Sequence, residues 1–497
     1  TDKDASSAFL KYEDFSHYAD YFNGMEDENI VQAIPNAKAS EWMEENIPLF
    51  ECPQHNFEEM YYYRWWSLRK HIKETPVGYG MTEFLIQRSY SDKYNLIACA
   101  IGHHIYESRW LRDPKYLDQI IHTWYRGNDG GPMKKMDKFS SWNADAILAR
   151  YMVDGDKDFM LDMAKDLETE YQRWERTNRL KNGLYWQGDV QDGMEESISG
   201  GRKKKYARPT INSYMYGNAK ALSLMGILSG NEGMAMKYGM RADTLKSLVE
   251  NDLWNTRHQF FETMRTDSSA NVREAIGYIP WYFNLPDTTQ KYEIAWKEIM
   301  DEKGFSAPYG LTTAERRHPE FRTRGVGKCE WDGAIWPFAS AQTLTAMANF
   351  MNNYPQTVLS DSVYFRQMEL YVESQYHRGR PYIGEYLDEV TGYWLKGDQE
   401  RSRYYNHSTF NDLMITGLIG LRPRLDDTIE VNPLIPADKW DWFCLDNVLY
   451  HGHNLTILWD KNGDRYHCGK GLRVFVDGKE AGHADTLTRL VCENALK

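Results

Sequence analysis

The sequence has no excess of positive charge: 59 Lys and Arg against 72 Asp and Glu leave a formal net charge of −13. Nucleic acid is excluded as a partner on that ground, because phosphate binding needs a basic footprint. No run approaches the ~18 consecutive apolar residues of a membrane-spanning helix, so no membrane partner is expected. Cysteine is scarce, six in 497 residues, with no CxxC or zinc spacing. That excludes a disulfide scaffold and leaves buried free thiols. No repeat of about 20–50 residues is visible, which excludes a solenoid. No charged and apolar leader opens at Thr1; the expectation is a periplasmic or otherwise exported chain, with a cytoplasmic one as the alternative. Phenylalanine is sparse too, 19 residues, beside 17 Trp and 34 Tyr. Aromatics with a polar tip suit a cleft that stacks on an apolar ligand face and hydrogen-bonds its edges, as a sugar requires.

Residues 1–50 are polar and mixed, and read as an N-terminal extension on the main body. Helical patterns then recur up to about residue 421, among them 57–74, 93–111, 140–153, 209–229, 288–302 and 333–353, separated by loops rich in Gly, Pro and aromatics. After Arg422 the pattern turns to short alternating runs with Asn-Gly and Asp-Gly turn pairs. Helices followed by strands mean two packed units rather than a doubly wound sheet. The expected fold is mainly α, an (α/α)6 barrel over 51–424 with a small C-terminal β-sandwich over 425–497.

Two loops concentrate carboxylates among glycines and aromatics. The first, LYWQGDVQDGMEESISG at 184–200, holds Trp186, Asp192, Glu195 and Glu196; the second, at 379–398, holds Glu385 between Gly384 and Tyr386. Either loop alone is as well explained as plain surface, but the pair matches glycosidic hydrolysis. That reaction needs one protonated carboxyl for the leaving oxygen and one ionised carboxylate to activate water or attack carbon. Between them, CEWDGAIWPFASAQTL at 329–344 places Trp331, Asp332 and Trp336 at the start of an apolar helix, as core tryptophans or as a stacking platform.

GMEES at 193–197, WDGAIWP at 331–337 and GEYLDEVTG at 384–392, in that order, resemble the clan of inverting (α/α)6-barrel glycosidases. That clan includes trehalase, processing α-glucosidase I and mannosylglycerate hydrolase. YYYRWWSLRKHI, GHHIYESRWL and YYNHSTFNDLMITGLIGLRP are similar to members from Bacteroides-type polysaccharide-degrading systems, including the β-L-arabinofuranosidase group. The resemblance implies Glu195 as general acid and Glu385 as general base, with no metal and no organic cofactor. The clan's acid is an aspartate, and Asp192 stands where its loop opens on serine, so Asp192 and Glu196 remain open as the acid. Asp332 and Ala334 depart from the Arg and Pro of the α-glucosidase relatives, which speaks against a glucose-specific pocket.

Trp186, Trp331 and Trp336 are expected to stack on the sugar. Arg64, Trp65, Trp142, Asn143, Asp332 and His407 are further substrate-contact positions, with Arg–acid pairs that brace the barrel as the plain alternative. The run GRKKKYAR at 201–208 reads as a solvated charge run or as an anionic-sugar contact. His103, His104 and Glu107 lack a third metal ligand. DGDKD at 154–158 has Phe159 where a calcium loop needs Gly, and reads as a helix-starting turn. The expected function is an exo-acting, inverting glycoside hydrolase that removes a terminal sugar from an oligo- or polysaccharide. A lyase acting on a uronate-containing glycan, drawing on 202–205 and Tyr404–His407, and a non-catalytic carbohydrate-binding relative are the alternatives.

Overall fold

The computed structural model describes residues 9–289 and 291–497. Six helices in it form a closed inner ring: Ile101–Ser108, Asn143–Asp154, Pro209–Ser229, Ile279–Tyr282, Pro337–Asn353 and Asn411–Leu413. Each packs on the next, and the last returns to the first. Each inner helix is preceded in the chain by an outer segment: His55–Lys70, Lys115–Arg126, Ala164–Asn178, Glu232–Leu248, Glu293–Ile299 and Asp361–Ser374. This is the double ring of an (α/α)6 barrel.

The seam between first and sixth inner helices is closed by charge. Glu107 accepts from the backbone amides of Phe410, Asn411 and Asp412 at 2.9, 3.1 and 2.7 Å. A carboxylate there satisfies donors that a helix start leaves unpaired. Arg109 lies 2.8 Å from Asp412. The barrel interior is aromatic and close-packed: a Cβ on Gly102 would lie 2.1 Å from the Trp142 ring, so glycine is what lets these two inner elements meet.

Links from inner to outer helices are short. Gly230 at φ 72° and Asn231, which caps Met234 N, turn the chain between Ser229 and Glu232. Asp156 likewise caps the helix Lys157–Asp162, which accounts for the acidic turn at 154–158. The outer-to-inner links are long and carry small hairpins such as Trp186–Gln187 with Tyr206–Ala207 and Tyr376–His377 with Arg380–Pro381. They gather at one end of the ring, because every inner helix begins there.

Three expected helices change character. Residues 93–111 are helical only from Ile101, after two 3-10 turns. The stretch 288–302 is a 3-10 helix, Glu293–Ile299. The last inner element continues from Asn411–Leu413 as a π-helix, Met414–Ile419. The C-terminal region holds a five-stranded sheet and a three-stranded sheet, the latter formed by Leu421–Arg422, Ile429–Val431 and Leu490–Cys492. One strand of the larger sheet comes from far away: Leu49–Glu51 pairs antiparallel with Asp446–Cys444. The N-terminal segment is therefore tied into the C-terminal sheet as well as lying on the barrel.

Candidate active site

The acid loop is held at both ends by one buried pair. Asp192, fully buried, accepts from Arg208 Nε at 2.7 Å, Thr210 Oγ1 at 2.6 Å and Ser140 Oγ at 2.5 Å. Arg208 also reaches Ser199 Oγ at 3.2 Å. Both Asp192 oxygens are therefore engaged in anchoring the loop, which leaves them poorly placed to exchange a proton with substrate. Gly193 at φ 73° turns the chain against Cys99, and Glu196 at φ 68° holds a left-handed conformation unusual for a side chain. Glu196 faces Arg202 at 3.5 Å. Glu195, between them, is held inward. Burial first, then the charges of Glu385 and Asp189, push its carboxyl up to about 7.

Glu385 arrives on the sixth long link, laced to the fifth by reciprocal backbone bonds between Ile335 and Leu387 at 3.0 and 2.9 Å. Its carboxylate is 5% exposed, and Oε2 accepts no hydrogen bond among the described residues. Lys396 Nζ and Arg401 Nη1 each stand 3.8 Å from it, and Cys329 Sγ lies 3.9 Å from Oε1. Burial raises its pKa, and Lys396, Arg401 and Arg88 oppose the rise. Glu195 and Glu385 thus share a centre but differ in surroundings: the acids Glu385 and Asp189 outweigh Arg202 at the former, and Lys396 and Arg401 stand nearest the latter.

A third carboxyl joins them that was not singled out in the sequence. Glu83, on the first long link, is 4% exposed, beside Cys99 Sγ at 3.4 Å and Tyr405 Oη at 3.5 Å. Burial, with the charges of Glu385 and Glu195, pushes it up to about 8. TEFLI, its sequence context, carries no glycine or tryptophan cluster; only the folding of link 71–100 over the ring brings it in. Cys99 and Arg401 were missed for the same reason, while Cys329 and Lys396 lie inside segments singled out for other residues.

Beside the carboxylates, Trp331, Trp336 and Tyr386 form a three-ring stack, with centroids 4.5 Å apart at each step and planes tilted by 23° and 18°. His407 lies 4.1 Å from the Tyr405 ring and edge-on to Phe338. Burial holds it well below the usual imidazole range, hence neutral, and its Nε2 has no hydrogen-bond partner among the described residues. Asp332, fully buried, accepts from the Arg324 and Gly325 amides at 2.6 and 3.1 Å and so shapes the 322–325 loop.

For the other expected contact residues the structure shows the following packing and bracing contacts. Arg64 donates to Gln375 Oε1 at 2.8 Å and to Ser408 Oγ at 2.8 Å, bracing one helix against the sixth link. Trp65 is fully buried and packs edge-on to Tyr61. Trp142, also fully buried, donates to Tyr282 Oη at 3.1 Å and packs on Tyr214 and His103. Asn143 donates to Glu170 at 3.2 Å. Trp186 is half-buried in an outer groove, under Lys205.

Residues 93–408 match the family described as "Mannosylglycerate hydrolase MGH1-like glycoside hydrolase domain". The chain belongs to that glycoside hydrolase family. Residues 421–483 match "Glycosyl hydrolase family 65, C-terminal domain". A solved structure named "Sialidase" is 97% identical with a TM-score of 0.99; the alignment covers all of this chain and 46% of that one. The chain thus spans less than half the length of that relative. Mannosylglycerate hydrolase of family GH63 from Thermus thermophilus shares the fold at 12% identity and TM-score 0.53, over 72% of this chain and 99% of that one. A family GH78 rhamnosidase from Bacillus sp. GL1 does so at 11% and 0.58, over 86% and 41%. The family is one of glycoside hydrolases.

Proposed function

We propose that the chain is an inverting, exo-acting glycosidase in which Glu195 is the general acid and Glu385 the general base. The observation that carries the assignment is the contrast in environment: Glu195 holds its proton up to about 7, whereas Glu385 has two cations at 3.8 Å and a free buried oxygen. Two neighbouring carboxyls in unlike electrostatic surroundings suit separate acid and base duties. Glu195 would give its proton to the glycosidic oxygen as the bond to the anomeric carbon breaks. Glu385 would take a proton from a water that attacks that carbon from the opposite face. Asp192, locked by Arg208, serves to position the acid loop.

Enclosure supports exo action: Glu385 is buried and Glu195 largely so among the links around the ring, which suits a terminal sugar better than the middle of a chain. Trp331, Trp336 and His407 supply the apolar and polar sides of that pocket. The resemblance to the β-L-arabinofuranosidase group makes a β-L-arabinofuranoside the first substrate to screen. The name "Sialidase" describes a protein more than twice this length, and we do not extend it to this centre. An exported location goes with a polysaccharide substrate, and cell fractionation tests it.

The experiment is a terminal-sugar release screen on plant and host glycans, with Glu385→Gln as the blank, followed by NMR of the first anomer released. Inverted configuration supports the assignment, whereas retained configuration refutes the water-activating role of Glu385. Absorbance of an unsaturated uronate in place of released sugar would transfer the site to lyase chemistry.

A further inference from the structure

The acid loop folds back through the Trp186–Gln187 and Tyr206–Ala207 hairpin. That turns the basic run between its ends into the lining of a concave groove of about 410 Å³. Lys138, Arg173, Arg202, Lys203, Lys204 and Lys205 line it against a single acid, Asp137. Arg173 pairs with Asp137 and Arg202 with Glu196, but among the described residues Lys203, Lys204 and Lys205 pair with no carboxylate. On a chain of net charge −13, cations gathered in one concavity make a local positive field that selects anions. The groove is also aromatic. Trp174 and Trp186 line it, and Lys205 Nζ stands 4.8 Å from the Trp186 ring centroid. Ring faces beside ammonium groups fit a sugar that carries acid groups.

The groove adjoins the acid. Arg202 bonds the neighbour of Glu195, and its charge bears on Glu195 itself. Gln191, one residue before the anchored Asp192, also lines the groove. A general acid protonates the leaving oxygen, so the departing part of the substrate lies on the acid's side.

We propose that this groove binds an anionic glycan, namely the leaving-group side of a substrate bearing carboxylate or sulfate groups. The orientation rests on Glu195 being the acid; the binding itself does not. The test is calorimetric titration of the full chain carrying Glu385→Gln with hexagalacturonate, a heparin hexasaccharide and uncharged cellohexaose. At about 50 mM salt an anionic probe binds and cellohexaose binds more weakly; at about 300 mM salt the difference shrinks. The tighter of the two anionic probes identifies the acid group. Lys203→Glu with Lys204→Glu weakens the anionic probe about tenfold or more, and Lys203→Gln with Lys204→Gln falls between. Thermal melting confirms that these exposed substitutions leave the fold intact. Equal binding by all three proteins, or no binding of either anionic probe, overturns the proposal. Probe binding together with a wild-type chain that hydrolyses no glycan would retire the catalytic assignment and keep the groove.

Discussion

At the scale of single residues, the centre works by giving three carboxyls unlike neighbours. Burial raises all of them; around Glu385 the charges of Lys396, Arg401 and Arg88 oppose that rise. Glu385→Gln is therefore expected to cut kcat by about a thousandfold, within the range for loss of a general base, with the melting temperature little changed. Steady-state kinetics beside a melt checks both. Glu195 must be protonated to act, so kcat/KM should fall as pH rises through about 7. A pH profile reads that limb. The limb should flatten on an aryl glycoside whose leaving group needs no proton, and Glu195→Gln should retain most activity on that substrate.

Elements decide where those residues stand. The loop 192–208 is positioned by Asp192 with Arg208, both fully buried. Asp192→Asn leaves the buried guanidinium without the carboxylate that its Nε bonds, with only the charges of Glu274 and Asp189 to offset it, at a cost of about 3 kcal/mol. Urea denaturation should show that loss, and Glu195 should lose its fixed position along with it. The inner ring has a comparable constraint at Gly102, where a Cβ would meet the Trp142 indole at 2.1 Å. Gly102→Ala should destabilise by about 1–3 kcal/mol through overpacking, read as a lower urea midpoint with an unchanged slope. An unchanged midpoint would mean that Trp142 has room to move. Helix 209–229 was legible end to end, because Pro209 and Gly230 mark its bounds and its residues favour one structure. Residues 288–302 were misjudged because Trp296 and Ile299 pack against the core in a tighter 3-10 turn that periodicity alone does not distinguish.

Across the whole molecule, the buried acids couple folding to pH. Glu83 rises to about 8, and Asp145, Glu170 and Glu195 each to about 7, all chiefly by burial. Above the ordinary carboxyl range the folded chain keeps protons that the unfolded chain has lost, so stability falls as pH climbs through these raised values. Net charge of −13 acts in the same direction through self-repulsion. The melting temperature should be lower at pH 8.5 than at pH 6, a trend that scanning calorimetry checks. Glu83→Gln, which removes one such proton, should narrow that gap.

The order of helices then strands, the two acid loops and the Trp331–Trp336 motif were all determined by the sequence alone, because each is a local pattern of residue types. The tertiary structure alone decided which acids meet. Glu83 enters from a link with no motif, Asp192 turns away to Arg208, and Trp65 and Trp142 sink into the barrel. It also carried Leu49–Glu51 across to the C-terminal sheet and folded a basic run over Trp186 into a groove. The physical reason is that spacing reports what neighbours along the chain can do. Desolvation and charge pairing depend on neighbours in space, and these exist only once the ring has closed.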